Sequence, residues 1–207
     1  MNKSIAGYEI FNSNSDFKRM IKMLLYFSYK TNSLPKFSEL NSSALVEKKG
    51  FKRALLERVN EDEKLVQVIS YCIMPTHFHL VLKQLKEEGI SKFVGDVSNS
   101  YSRYFNNKNN RGGTLWKGRF ANIPVDSDEQ LLHLTRYIHL NPTTAGLVEN
   151  PEDWPYSSYE TYTSKERNGI CNYENILDID PEKYKDFVSA RKDYQKSLAK
   201  IKKITLE

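Results

Sequence analysis

Two histidines separated by one residue, His77 and His79, carry the most chemically specific spacing in the sequence. On a strand, alternate side chains share a face. Both imidazoles then project to one side, and Phe78, Leu80 and Leu82 project to the other. Two imidazoles about 7 Å apart along a strand can ligate one cation; the alternative is a pair of surface histidines on a half-exposed strand. A second set, His133, Tyr137 and Asn141, recurs every four residues and so shares one face of a helix. Tyr137 is a candidate nucleophile, and Asn141 a candidate oxygen ligand for the same cation. The plainer alternatives are a packed tyrosine with its hydroxyl at the edge and an asparagine that ends a helix before Pro142. The third set is basic and aromatic: Arg103, Tyr104, Lys108, Arg111, Trp116, Lys117, Arg119 and Phe120. Arginine and lysine contact phosphates, and exposed rings stack on unpaired bases. Tyr101, Tyr104 and Phe105 also fit the buried face of a helix, so the charged positions are the better candidates for DNA contact.

The elements that position these residues follow from periodicity. Residues 65–74 and 76–83 are β-rich and meet at Pro75, which predicts a hairpin carrying the histidine pair. Ile90, Phe93, Val94, Val97, Tyr101, Tyr104 and Phe105 recur at three and four, predicting a helix with one apolar face. Asp126 with Glu129 resembles a capped helix start, and this tyrosine helix is expected to stop at Pro142. Elsewhere, residues 8–11 read as a short first strand, and Asp16 as the N-cap of a helix carrying Phe17, Met20, Ile21, Leu24 and Leu25. Residues 32–45 read as loop, residues 51–59 as helix, and residues 115–125 as a strand pair or irregular strand. Residues 146–181 read as loop-rich. Tyr184, Phe187, Val188, Arg191, Tyr194, Leu198 and Ile201 describe a last basic helix. Helices interleaved with hairpin strands predict an α+β sandwich around an antiparallel sheet.

Length and charge bound the rest. A chain of 207 residues is one domain of ordinary size, and 39% hydrophobic with 28% charged residues is not a disordered composition. The net charge of +5 decides little by itself. Its distribution says more: residues 83–122 are basic, residues 141–181 acidic, and residues 182–207 basic again. A polyanion partner fits this pattern, and so does a solvated surface. No run of 18 apolar residues is present, so no membrane span is expected. The first ten residues do not resemble a leader, and Cys72 and Cys171 make no framework. These features predict reduced thiols in a cytoplasmic protein.

Four blocks appear in order: Tyr71-Cys-Ile-Met-Pro-Thr-His-Phe-His-Leu-Val-Leu, Gly113-Thr-Leu-Trp-Lys-Gly-Arg-Phe, Arg136-Tyr-Ile-His-Leu-Asn-Pro-Thr-Thr-Ala-Gly-Leu-Val and Trp154-Pro-Tyr-Ser-Ser-Tyr. Over residues 8–159 the chain closely resembles the single-tyrosine HUH transposases of the insertion-sequence type, in the REP-associated tyrosine transposase branch. The resemblance implies a ferredoxin-like α+β sandwich over residues 1–160, with residues 161–207 as a C-terminal basic helical extension. It implies that His77 and His79 bind a divalent cation, Mg²⁺ or Mn²⁺, with Asn141 as third ligand. It makes Tyr137 the nucleophile that forms a 5′-phosphotyrosine intermediate on single-stranded DNA next to hairpins, without ATP. Arg103, Lys108, Arg111, Lys117 and Arg119 are the expected DNA contacts, and the protein is expected to act as monomer or homodimer. His133 and His139 are candidates to help deprotonate Tyr137, although His139 has poor spacing for the same helical face. The chain departs from the family where residues 11–16 are short and residues 32–60 long. Two other readings stay open: a domesticated, non-cleaving hairpin binder, and a metal-dependent hydrolase that uses water.

Overall fold

The computed structural model describes residues 1–164 and 169–192. Two compact units are present, one of residues 1–68, 75–77 and 82–121, the other of residues 69–74, 78–81 and 122–207. The architecture is mixed α/β, with a three-stranded antiparallel sheet. The strands are β1 (Asn2–Lys3), β2 (Val66–Met74) and β3 (His77–Gln84), in the order β1-β3-β2. The expected hairpin is therefore present, turning at Pro75 and Thr76.

In the first unit the strand lies at Asn2–Lys3, not at residues 8–11. Ile10 and Phe11 are adjacent yet both buried, which a two-residue alternation does not allow. Their N–H groups both donate to the Pro75 carbonyl, at 2.8 and 3.0 Å. Helix α1 (Asn14–Phe27) is capped by Ser13 rather than Asp16. Asp16 instead occupies the third helical position and accepts from the Ser13 N–H at 3.1 Å, completing a capping box. Residues 32–60 are more structured than a loop with one helix. They form α2 (Phe37–Asn41), α3 (Ala44–Lys49) and α4 (Phe51–Leu56). Gly50, at φ +79°, supplies the left-handed break between the last two. Helix α5 (Gly89–Lys108) buries Phe93, Val94, Val97 and Tyr101, the apolar face read from the sequence. Gly89 lies so close to Leu65 that an added Cβ would sit 2.4 Å from the Leu65 carbonyl oxygen. Residues 115–121 form no strand of their own. They pair singly with the chain start, Lys117 N–H to Lys3 O at 2.9 Å and Ile5 N–H to Leu115 O at 2.9 Å.

In the second unit α6 (Asp128–Thr144) carries the candidate tyrosine. Its N-cap is Ser127, whose hydroxyl accepts from Gln130 N–H, while the Gln130 side chain accepts from Asp126 N–H. The expected stop at Pro142 does not occur. Proline removes one N–H, yet Ala145 N–H still reaches Asn141 O at 2.9 Å, and buried Pro142 and Thr143 hold the last turn in place. Asn141 is thus fully helical. The short helix α7 (Tyr159–Thr163) and helix α8 (Pro181–Ser189) complete the unit. Tyr162, Tyr184 and Val188 bury into one core with Ile69, Ile138 and Leu140. Of the expected basic helix, Tyr194, Leu198 and Ile201 lie outside the described residues. Cys72 and Cys171 are free and buried, and burial pushes the Cys171 thiol up to about 12. Among the described residues no helix is long and apolar enough to cross a membrane.

Candidate active site

The histidine strand is more enclosed than a half-exposed one. Phe78, His79 and Val81 are buried while His77 and Leu80 are partly so, so packing covers both faces. His77 places Nδ1 2.8 Å from the Thr76 hydroxyl. Burial, with Lys3 and the terminal ammonium adding to it, pulls the His77 pKa down to about 4. The ring is therefore neutral at pH 7, as a metal ligand must be. A partner on Nδ1 is also what orients an imidazole that ligates through Nε2.

In the second unit the His79 ring meets the Tyr137 ring edge-on, with centroids 6.0 Å apart. Tyr137 is 46% exposed. His133 and Asn141 lie one turn to either side on the same face. His133 Nδ1 lies 2.7 Å from Arg136 Nη2, which donates to it. Arg136 in turn lies 4.1 Å over the Phe187 ring.

The Nδ2 atom of Asn141 is buried and has no hydrogen-bond partner. Amide oxygen and nitrogen are interchangeable by a half-turn; turned, the same position presents a carbonyl oxygen that needs a positive partner. Among the described residues no group of three or more His, Cys, Asp or Glu could hold a metal.

His139 belongs to the opposite side of α6. It is fully buried, with Nε2 2.7 Å from Ser158 Oγ and 3.2 Å from Ser70 Oγ, and Nδ1 2.7 Å from Tyr184 Oη. Tyr184 Oη donates further to Thr135 Oγ1 at 2.9 Å. Burial pulls the His139 pKa to about 3. Both ring nitrogens are engaged, so the second of the two expected proton acceptors for Tyr137 is a fastener of the helix. Sequence reasoning missed the partners Ser70 and Ser158. The only local signal was the Ser157-Ser158 pair inside the fourth block.

The five expected DNA contacts divide into two groups. Lys108 is ion-paired to Asp16 at 2.7 Å. Arg111 closes its own loop through Asn106 Oδ1 and the Thr114 carbonyl, at 2.9 and 2.8 Å. Arg103, Lys117 and Arg119 are exposed.

Residues 46–141 match the family model described as "Transposase IS200 like". This span holds His77, His79, Tyr137 and Asn141. Two curated relatives agree. A protein of Haemophilus influenzae, provisionally named a REP-associated tyrosine transposase, is 29% identical over 104 residues, 45% of this chain and 58% of its own. The REP-associated tyrosine transposase of Escherichia coli K12 is 21% identical over 94 residues, 45% of this chain and 54% of its own. The chain thus spans little more than half the length of these relatives. Both relatives carry the REP-associated tyrosine transposase name. No solved structure matches the chain.

Proposed function

We propose that the protein is a transposase that cuts and rejoins single-stranded DNA beside hairpins, with Tyr137 as nucleophile. The half-exposed Tyr137 side chain on α6, its ring edge-on to the buried His79 ring, is the observation that carries this reading. In the step proposed, the Tyr137 oxygen attacks the scissile phosphorus. A phosphorus–phenol oxygen bond forms and the bond to the 3′ oxygen breaks. The phenolic proton passes to solvent or a nearby base, and the departing 3′ oxygen takes up a proton. A 5′-phosphotyrosine link and a free 3′-hydroxyl result, and the reverse attack rejoins the strand. His77, His79 and Asn141 would hold Mg²⁺ or Mn²⁺, which when bound neutralises phosphate charge and polarises the scissile phosphorus. A free phenol is almost wholly protonated at neutral pH, so proton acceptance from Tyr137 is a required role. His133 lies one turn away on the same face, and its Nδ1 already accepts from Arg136, so it could serve only after that contact opens. The proposal also takes the family's ferredoxin-like arrangement for residues 1–160 and treats residues 161–207 as its extension.

The test uses labelled hairpin oligonucleotides with Mn²⁺ or EDTA. A DNA–protein adduct that survives denaturant, and is lost both with EDTA and in Tyr137→Phe, is the expected result. Cleavage that persists in Tyr137→Phe would replace the reading with hydrolysis by water. Tight hairpin binding with no cleavage across a library of hairpins would replace it with a non-cleaving binder.

A further inference from the structure

The first unit contains a cleft of about 820 Å³ between α1, residues 31–38 and the C-terminal half of α5. One of its walls comes from residues 32–60, the stretch in which the chain exceeds the family pattern. Arg19, Lys36, Arg103 and Lys108 line it, and no carboxylate does. Arg19 is the singular residue. Its guanidinium carbon lies 4.2 Å from the Tyr104 ring centroid and 4.9 Å from that of Phe37. Its Nε is buried with no hydrogen-bond partner. The nearest candidate counter-ion on its own helix, Asp16, is already taken: it accepts from Lys108 Nζ at 2.7 Å and from Tyr104 Oη at 2.7 Å. The guanidinium is held by the two rings and by the field of Asp16, but its orphaned Nε calls for an acceptor atom. Burial also draws the Arg19 pKa below its ordinary value.

The chemistry that satisfies this cleft is an anion joined to a flat apolar group. Arginine forks match phosphate oxygens. The partly exposed Leu34 in the lining would pack against the face of a base, with buried Phe37 beneath Arg19. The volume falls within the range of roughly 300–1,000 Å³ typical of small-ligand sites. A duplex keeps its bases inside the stack, whereas an unpaired nucleotide can enter a concave site.

We propose that this cleft binds one unpaired nucleotide of a DNA strand, its phosphate on Arg19 and Arg103 and its base against Leu34. This rests on the reading that the protein acts on single-stranded DNA, but it assigns a contact that the family's shared motifs do not contain. The test is fluorescence anisotropy of the full chain with a labelled twelve-residue oligo-dT that forms no hairpin. Arg19→Gln and Arg103→Gln should each weaken binding about tenfold, and the two together should lower the salt slope by about 0.7, the value for one single-strand phosphate contact. Arg53→Gln, exposed on α4, should change neither. If Arg19→Gln does not fold, Arg103→Gln and Lys36→Gln on the cleft rim carry the test. Unchanged affinity and slope in these rim variants would overturn the proposal. So would displacement of the oligonucleotide by micromolar dTMP, which would make the cleft a free-nucleotide site. Adduct formation, assayed on the same preparations, separates this proposal from the transposase reading. Loss of oligo-dT binding in Arg103→Gln, with no adduct from the native protein, sinks only the transposase. An intact adduct with unaltered oligo-dT binding in the variants sinks only the cleft.

Discussion

His133 and His139 are six residues apart on α6 and differ in nearly every property that matters. His133 is about half exposed, with Glu129 3.8 Å from its Nε2 and Arg136 on its Nδ1. His139 has two hydroxyls on one nitrogen and a phenol on the other, and no exposed surface. His139→Gln should therefore lower stability by about 2–3 kcal/mol, through orphaned buried partners. His133→Ala should stay within about 0.5 kcal/mol. Urea denaturation of the two variants measures both. Acid behaviour follows from the same ring. Its folded pKa of about 3 lies below the ordinary 6.5, so as pH falls the unfolded chain takes up this proton first. The stability contributed by the neutral ring is complete above pH 6.5 and is lost between pH 6.5 and about 3, at up to about 1.4 kcal/mol per pH unit. His77, pulled to about 4, titrates in an overlapping window. The acid slope of His139→Gln should accordingly be shallower than that of the native protein, but not flat.

At the scale of elements, the hairpin and α6 are where sequence and structure agree best, for a local reason. A proline-marked turn between two β-branched runs, and polar residues at every fourth position, are encoded within a dozen residues. The first strand was illegible because its pairing is with residues near 76, far along the chain. Ile10 and Phe11 looked like a strand because they are apolar; they are buried together because two N–H groups share one carbonyl. The start of α1 was misplaced by three residues because Ser13 and Asp16 both satisfy the helix end, one as cap and the other as the reciprocal acceptor. Ser13→Ala should cost about 1 kcal/mol in thermal or urea unfolding. Gly89→Ala should cost more, roughly 1–3 kcal/mol, because the new methyl meets rigid backbone at Leu65. A melting temperature unchanged in Gly89→Ala would show that α5 can slide away from Leu65 at no cost.

Over the whole molecule, the basic stretch at residues 83–122 resolves into cations with different duties. Lys108 and Arg111 stabilise their surroundings through Asp16 and the 106–114 loop. Lys117 and Arg119 stand exposed. Replacing Lys117 and Arg119 together by glutamine should weaken single-stranded DNA binding and reduce the salt slope by about 1.4, two phosphate contacts on a single strand. Replacing Arg111 should instead act mainly on stability. Anisotropy titrations at several salt concentrations, alongside thermal melts, distinguish the two. The C-terminal acidic and basic segments are not a detached appendage as far as Ser189. Tyr184 and Val188 of α8 share a core with Ile138 and Leu140 of α6, so the helix that carries Tyr137 is held in part by residues more than forty positions downstream.

The amino-acid sequence by itself determined the spacings: two histidines at alternate strand positions, a tyrosine and an asparagine one helical turn apart, and four blocks in the order of a transposase family. Backbone periodicity is local, so any chain with these residues in these elements shows the same spacing. The tertiary structure decided which groups are free to act. It buried His139 between Ser70 and Ser158, 88 residues apart in sequence, left Tyr137 exposed, committed Lys108 to Asp16, and set Arg19 between two rings with its Nε unpaired. Burial and partnership depend on which distant segments pack together, and no short window of sequence contains that information.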